Sequence, residues 1–340
     1  MSRRRVTMSD VARRAGVSPT TASFVLAGRR DMRISGDAEE RVRQAARELG
    51  YRPNLTARGL RTSVTRTIAL ISDTIATTPF AGEVIHGALD AAGAREHVLF
   101  VAETEGDPQT ETRLVEGMLD RQVDGFVYAA MYTREVRLPP ALHDAKVVLL
   151  NCWARDTRAP SVLPDEVNAG RDAARLLLDA GQLGGVHVVG GRHVTRATPE
   201  GVWAGVERMR GIEEVFAGAG VRVAGVAECD WQPEDGHREV LRLLDAGAVP
   251  RALVCLNDRL ALGAYQALQD KGLRVGDDVA VVSFDDSDLA GWLRPGLTSV
   301  GLPHYRLGRT AVELLLDDDA GPGVRHVPMP VALRASHGPQ

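Results

Sequence analysis

Thr7-Met8-Ser9-Asp10-Val11-Ala12-Arg13-Arg14-Ala15-Gly16-Val17-Ser18-Pro19-Thr20-Thr21-Ala22-Ser23-Phe24-Val25-Leu26 is the stretch that organises the chain. Thr7 followed three residues later by Asp10 has the form of a helix N-cap with an acidic residue at N3. It predicts a short helix with Val11, Ala12 and Ala15 on its inner face. Gly16 supplies the backbone freedom for a tight turn. Ser18-Pro19 is a second start signal, because serine caps and proline loses nothing at the first helical position. Two short helices joined by a turn containing glycine form a helix-turn-helix. The second helix is expected to expose Thr20, Thr21, Ser23 and Phe24 and to turn Ala22, Val25 and Leu26 inward. Small hydroxyls near the start of such a helix can reach phosphates and base edges in a DNA major groove.

Further along, Ser35 is a cap for a third helix, with Asp37, Glu39 and Glu40 in the first turn and Arg47 near the end, as the helix dipole favours. Its apolar positions Val42, Ala45, Ala46 and Leu49 recur at helical spacing, and Gly50 can end it. Tyr51-Arg52-Pro53-Asn54-Leu55-Thr56-Ala57-Arg58-Gly59-Leu60 follows. Thr7–Leu60 resembles the DNA-binding headpiece and hinge of the lac repressor family of bacterial transcription regulators. Asp10-Val11-Ala12, Ala15-Gly16-Val17-Ser18, Thr21, Ser23, Leu49-Gly50-Tyr51, Pro53-Asn54, Ala57-Arg58 and Leu60 carry the resemblance. It implies DNA contacts by Thr7, Ser18, Pro19, Thr20, Thr21, Ser23 and Phe24, and by Arg52, Asn54, Ala57, Arg58 and Leu60. It also implies a hinge near Asn54–Leu60 that becomes helical on DNA, with Leu60 wedged into the minor groove. The alternative is a flexible linker whose leucines touch the body. Ala27 stands where the family usually has Asn, and Ala38-Glu39 where it has Thr-Arg. Both changes remove expected phosphate contacts.

The charge is unevenly divided. Residues 1–61 contain 14 arginines, no lysine and 6 acidic residues, a net +8, whereas the remainder carries −12. A basic head on an acidic body argues for a polyanionic partner at one end. The chain of 340 residues is 44% apolar and 25% charged, which fits a globular protein of two or three domains. No apolar run is long enough to span a membrane, and Met1-Ser2-Arg3-Arg4-Arg5 lacks the apolar region of a secretory signal. Cys152, Cys229 and Cys255 are far apart and form no C-x-x-C pair, as expected for reduced thiols in a cytoplasmic protein without a zinc site.

From Ile68 onward, short apolar runs alternate with helical patterns. Strands are expected at 68–72, 98–102, 125–129, 147–150, 186–189, 223–227, 253–256 and 279–284, most of them buried on both faces. Helices are expected near 81–94, 109–121, 168–180, 203–217, 234–246, 259–271 and 304–316. The tail from Asp317 reads as loop. The fold class is therefore an all-α helix-turn-helix headpiece with a hinge helix (residues 1–61), then an α/β body of two parallel-sheet lobes (residues 62–340). Thr62–Thr67 is a polar linker. The family resemblance continues to about Leu316 and implies a periplasmic-binding-protein-like body that binds effector and dimerises.

Ligands of open parallel sheets sit beyond the carboxyl ends of the strands, so the loops there supply candidates. Asp73 and Phe80 follow the first strand, and Phe80 can stack on a sugar ring or close the core. Asn151 can hydrogen-bond a ligand or merely form a turn. Arg208-Met209-Arg210-Gly211 matches the family's Arg-x-x-Gly, in which the arginine reaches into the cleft; its planar fork suits paired hydroxyls or a carboxylate. Trp231 resembles the family's ligand-covering indole, with core packing as the alternative. Asn257 is the ligand-facing candidate and Asp258 the helix cap. Asp285 ends the last long strand, where a carboxylate facing Arg208 would suit a polyol. Leu302 stands where the family commonly has Gln.

These readings converge on a DNA-binding regulator, a repressor acting as a homodimer on a pseudo-palindromic operator, with a small sugar-like effector in the interlobe cleft. No membrane, metal or cofactor is implied, and no G-x-S-x-G, H-E-x-x-H or Walker motif indicates an enzyme. A regulator answering to a protein partner and a solute-binding protein are the alternatives.

Overall fold

Two caps set the register of the N-terminal unit. The Thr7 hydroxyl accepts from the Asp10 amide while the Asp10 carboxylate accepts from the Thr7 amide, which closes a capping box on α1 (Met8–Ala15). Ser18 caps α2 (Pro19–Leu26) by accepting from the Thr21 amide, and Ser35 caps α3 (Gly36–Leu49). Gly16 and Gly50 end α1 and α3 in the left-handed region that glycine favours. Val11, Ala12, Ala15, Ala22, Val25, Val42, Ala45 and Ala46 form the core of this three-helix unit. Arg14 on α1 donates from Nε and Nη2 to one oxygen of Glu48 on α3, at 3.1 and 2.8 Å.

This computed structural model describes residues 6–27, 34–51, 64–78, 82–182, 184–191 and 201–338. The expected hinge, with Arg52, Asn54, Ala57, Arg58 and Leu60, lies outside the described residues, as does Phe80. The chain divides into two units between Thr65 and Arg66, within the stretch expected to be a linker.

The second unit holds two six-stranded sheets. The first lobe contains β1 (Thr67–Ser72), β2 (Val98–Glu103), β3 (Phe126–Glu135), β4 (Val147–Trp153), β5 (Ser161–Pro164) and β11 (Val324–Val327), ordered β11-β5-β4-β3-β1-β2. The second contains β6 (Val186–Gly190), β7 (Gly225–Glu228), β8 (Ala252–Cys255), β9 (Ala280–Asp285), β10 (Thr298–Gly301) and β12 (Val331–Ala332), ordered β12-β10-β9-β8-β6-β7. Within the two sheets, all described pairings are parallel except that of β12 with β10. Helices α4 (Gly82–Ala94), α5 (Pro108–Leu119) and α11 (His304–Leu315) cover the first sheet. The second lobe carries α6 (Glu166–Asp179), α7 (Ala204–Gly218), α8 (Pro233–Asp245), α9 (Asp258–Asp270) and the short α10 (Asp288–Trp292).

The chain crosses between lobes three times, after β5, β10 and β11, because α6 packs into the second lobe, α11 into the first, and β12 back into the second. This threading corrects two expectations. The tail beyond Asp317 is not merely loop: β11 and β12 extend one sheet each. Nor is β2 buried on both faces, since as an edge strand it leaves Val98 58% and Phe100 40% exposed. Cys152, Cys229 and Cys255 are free and buried, so burial raises each thiol pKa.

Candidate functional site

The α2 surface presents the expected polar face in part. Ser18, Pro19 and Thr20 are exposed, while Thr21, Ser23 and Phe24 are half-buried rather than open. Leu26, expected inside, is also only half-buried. The Ser18 and Thr21 hydroxyls bond each other at 2.8 Å, and the Thr7 hydroxyl donates to Asp10 at 2.6 Å. The capping hydroxyls thus fix the helix ends first, and reach outward only where a lone pair remains.

In the second unit, a cavity of about 170 Å³ lies between the lobes at the carboxyl ends of both sheets. Its first-lobe wall is apolar at Ile75, Val84, Ala130, Met131 and Leu150 and polar at Tyr132, Thr133 and Asn151. The second lobe and the crossovers contribute Glu166, Arg208, Asp230, Trp231, Asn257 and Asp285, joined by Leu302 and His304. A clasp spans the lobes beside it. The Trp203 amide donates to the Thr133 carbonyl at 2.8 Å, and the Trp153 and Trp203 rings meet at 4.5 Å between centroids.

Arg208 is the hub. Its side chain is 2% exposed, with Phe284 below the guanidinium at 4.6 Å and the Trp231 ring at 5.6 Å. Nε and Nη2 donate to the two Glu166 oxygens at 2.6 and 3.2 Å, and Nη1 donates to the Leu256 carbonyl. Nη1 also lies 3.7 Å from Asp285 Oδ1. Burial works against the Arg208 charge, but Glu166 and then Asp285 outweigh it, so the group stays protonated. Burial pushes the Asp285 carboxyl up to about 8; Arg208 pulls it down, and Asp258 and Glu166 add to the rise. Asp285 has φ +104°, a conformation pinned by the Leu302 amide donating to its carbonyl at 3.0 Å.

The structure brings together Asn151, Arg208, Trp231, Asn257 and Asp285, and it leaves Asp73 out. Asp73 instead accepts from the Thr74 and Met131 amides, both at 2.8 Å, and pairs with Arg134 at 3.0 Å. It lines a separate small cavity with Tyr128 and Glu111, because the turn after β1 directs it toward β3. The cap falls on Asn257, which also lines the cavity, and not on Asp258. Asn257 caps α9 by accepting from the Leu260 amide at 2.8 Å, while its amide donates to the Trp231 carbonyl at 3.2 Å. Asp258, 1% exposed, accepts from the amide and hydroxyl of Ser287 and from the Ser299 hydroxyl, each at 2.8 Å. It ties α9 to the β9 and β10 ends. Asn151 donates both amide hydrogens to the Ala130 and Met131 carbonyls and accepts from Thr133, stapling the bulge where the β3–β4 register shifts.

Residues 7–54 match the profile of bacterial regulatory proteins of the lacI family, and residues 186–337 that of a periplasmic binding protein-like domain. The sucrose operon repressor of Shigella flexneri is 32% identical over 338 residues, covering 97% of this chain and 99% of its own length. The HTH-type transcriptional repressor PurR of Haemophilus influenzae (strain PittEE) is 31% identical, covering 92% and 90%. This chain belongs to the lacI family. It is a DNA-binding transcriptional regulator rather than an enzyme. Among solved structures, the lac repressor dimer bound to operator and the anti-inducer ONPF superposes with a TM-score of 0.80, covering 99% of this chain and 100% of its own at 24% identity. The transcriptional regulator CelR–cellobiose complex gives 0.65 at 28% identity, covering 98% and 100%.

For a lacI-family chain, Glu166 is the cavity-lining charge that the sequence reading missed, and Asp258, read only as a cap, is the buried carboxylate behind the site. A signal existed: Glu166 shares a helix face with Gly170, Ala173 and Leu177, and Asp258 one with Ala261 and Ala264, all buried. A charge on an apolar helix face has to find a partner inside. Leu302, the departure from Gln, falls on the cavity wall. Among the described residues no cluster of three potential metal ligands occurs, and no helix is long and apolar enough to cross a membrane.

Proposed function

We propose that this regulator is a cytoplasmic homodimeric repressor whose operator affinity is set by a small, sugar-sized ligand held between the lobes of the body. The observation that carries this is the cavity at the carboxyl ends of the parallel strands of both sheets, walled by Trp231 and by the Arg208–Asp285 pair. Three crossovers join the lobes, so ligand contacts to both walls would favour one relative lobe position over another. The typical coupling of such a motion to a second site is about 1–3 kcal/mol, or roughly 5–150-fold in operator affinity.

Dimerisation follows from the DNA geometry, since a two-fold pair of headpieces matches a pseudo-palindrome. The exposed apolar edge strand β2, with Val98, Phe100 and Val101, offers a surface for it. In DNA recognition, Thr7, Ser18, Pro19, Thr20, Thr21, Ser23 and Phe24 belong to the major groove. Arg52, Asn54, Ala57, Arg58 and Leu60 take the hinge roles that the family resemblance gives them.

A thermal-shift screen of sugars and nucleosides, followed by operator titrations with each compound that raises the melting temperature, tests this reading. A compound that both stabilises the chain and changes operator affinity supports it. Leu302 and the internally committed amides of Asn151 and Asn257 favour a second reading, a regulator answering to a protein partner; stabilisation by no compound would point there.

A further inference from the structure

Charge is distributed within the head in a way that its total conceals. Residues 6–27 and 34–51 hold five arginines and five acids, so the described three-helix unit is neutral. The net +8 of residues 1–61 therefore belongs to residues 1–5, 28–33 and 52–61, outside the described residues. Within the unit every arginine stands on α1 or α3, beside a carboxylate. Arg13 lies 3.3 Å from Asp10, Arg14 2.8 Å from Glu48, and Arg47 2.9 Å from Glu40. Arg41 and Arg43 face Asp37 and Glu39, at 3.7 and 3.4 Å. Exposed pairs of this kind are weak and can give way to phosphates, but none of these guanidinium groups stands on α2.

Helix α2, Pro19–Leu26, contains no arginine, lysine, asparagine, glutamine or acid. Those are the side chains whose hydrogen bonds distinguish guanine, adenine and cytosine in a major groove. Ala22 and Val25 are buried in the head core. The outer side is a stripe at helical spacing, Thr20, Ser23, Phe24 and Ala27, with the exposed Pro19 ring beside it. Ser18 and Thr21 are engaged in the cap and in their mutual hydrogen bond. The stripe is mostly carbon: a threonine methyl, a half-buried phenyl ring, an alanine methyl and a pyrrolidine. The apolar group that a base edge offers in the major groove is the C5 methyl of thymine.

On the reading that α2 lies in the major groove, we propose that it reads thymine through that methyl, by way of the Thr20 methyl and the Phe24 ring. Choice of sequence and attraction to DNA are then carried by different stretches. Apolar contact from α2 selects the base pairs, and the arginine-rich segments on either side supply the phosphate contacts. A methyl on C5 of cytosine occupies the same place in the groove, so 5-methylcytosine substitutes in part for thymine.

The test uses the full chain and synthetic duplexes. Selection from a random duplex library should return half-sites that share at least one T·A pair. Uracil in place of that thymine removes the methyl alone, and it should lower affinity about fourfold per methyl. A C·G pair there should bind worse still, and 5-methylcytosine should recover part of that loss. Thr20→Val keeps the methyl and Thr20→Ser keeps the hydroxyl, so the preference for thymine over uracil should persist in T20V and shrink in T20S. Phe24→Ala should also shrink it, and all three variants should keep the salt dependence of the parent. Equal affinity for thymine and uracil operators, half-sites without a shared T·A pair, or a preference unchanged in both T20S and F24A would overturn the proposal. Thr20→Glu, which adds a negative charge at the start of α2, separates that failure from failure of the reading beneath it. If uracil is tolerated and T20E loses the operator, α2 lies in the groove but does not read methyls. If uracil is tolerated and T20E binds like the parent, α2 is not in the groove and both fall.

Discussion

At the residue scale, the energetics of the cleft rest on one buried pair. Removing one partner of a buried ion pair strands the other charge, at a cost of about 3–5 kcal/mol. Arg208→Ala should therefore destabilise the body by about that amount in urea unfolding, besides changing any ligand response. Replacing both Arg208 and Glu166 by apolar residues of similar volume should recover most of the loss. If R208A unfolds like the parent chain, the Glu166–Arg208 bond is not a structural support. Asp285 works in the opposite sense. Its pKa rises from 3.8 to about 8 on folding, so between those values the native state binds more protons than the unfolded chain and stability falls as pH rises. Melting temperatures of Asp285→Asn should thus fall less steeply from pH 5 to pH 8 than those of the parent, with the variant the more stable at pH 8. Identical pH profiles would place the carboxyl in a more polar setting than the structure gives it. Arg208 and Asp285 were legible because a charged residue at a strand end or in an Arg-x-x-Gly stands out. Glu166 and Asp258 were harder to read, since an acid in a first helical turn looks like an ordinary dipole partner until the apolar face it stands on is noticed.

At the element scale, what aims Arg208 is the close approach of α6 and α7. A Cβ on Gly170 would lie 2.1 Å from the Arg208 carbonyl oxygen, and one on Gly211 would lie 2.1 Å from the Val167 carbonyl oxygen. Neither helix can carry a side chain there without moving apart. Gly170→Ala should cost about 1–3 kcal/mol by overpacking and should displace Arg208 from the cavity. A stable variant with unchanged ligand affinity would show that helix spacing does not set the site. The strands and helices of the βαβ series could be read because each shows a helical period or, like the four-residue β7 and β8, sits within an apolar run. β5, β10, β11 and β12 could not: at two to four residues, partly outside any apolar run, they exist through pairing with neighbours already in place. The same holds for the β3 extension that Asn151 staples. A register shift has no sequence period, and Asn151 by itself reads as a turn.

At the scale of the whole molecule, charge and fold divide together. Residues 1–61 carry net +8 and the rest −12, so the acidic body repels the phosphate backbone that the head attracts. Arginines that displace condensed counterions make specific affinity steeply salt-dependent, and a loss of about a thousandfold between roughly 50 and 200 mM salt is expected. A flat dependence would remove the head from the DNA contact. The central claim is that a small helical head reads a particular duplex sequence under control of the body. The most direct measurement is selection of genomic DNA fragments by the purified chain, with and without candidate effectors, followed by sequencing of what is retained. A repressor of this kind enriches a few fragments that share a pseudo-palindrome, and an effector changes the amount retained. Recovery of fragments in the same proportions as random duplex, under every condition, would contradict it.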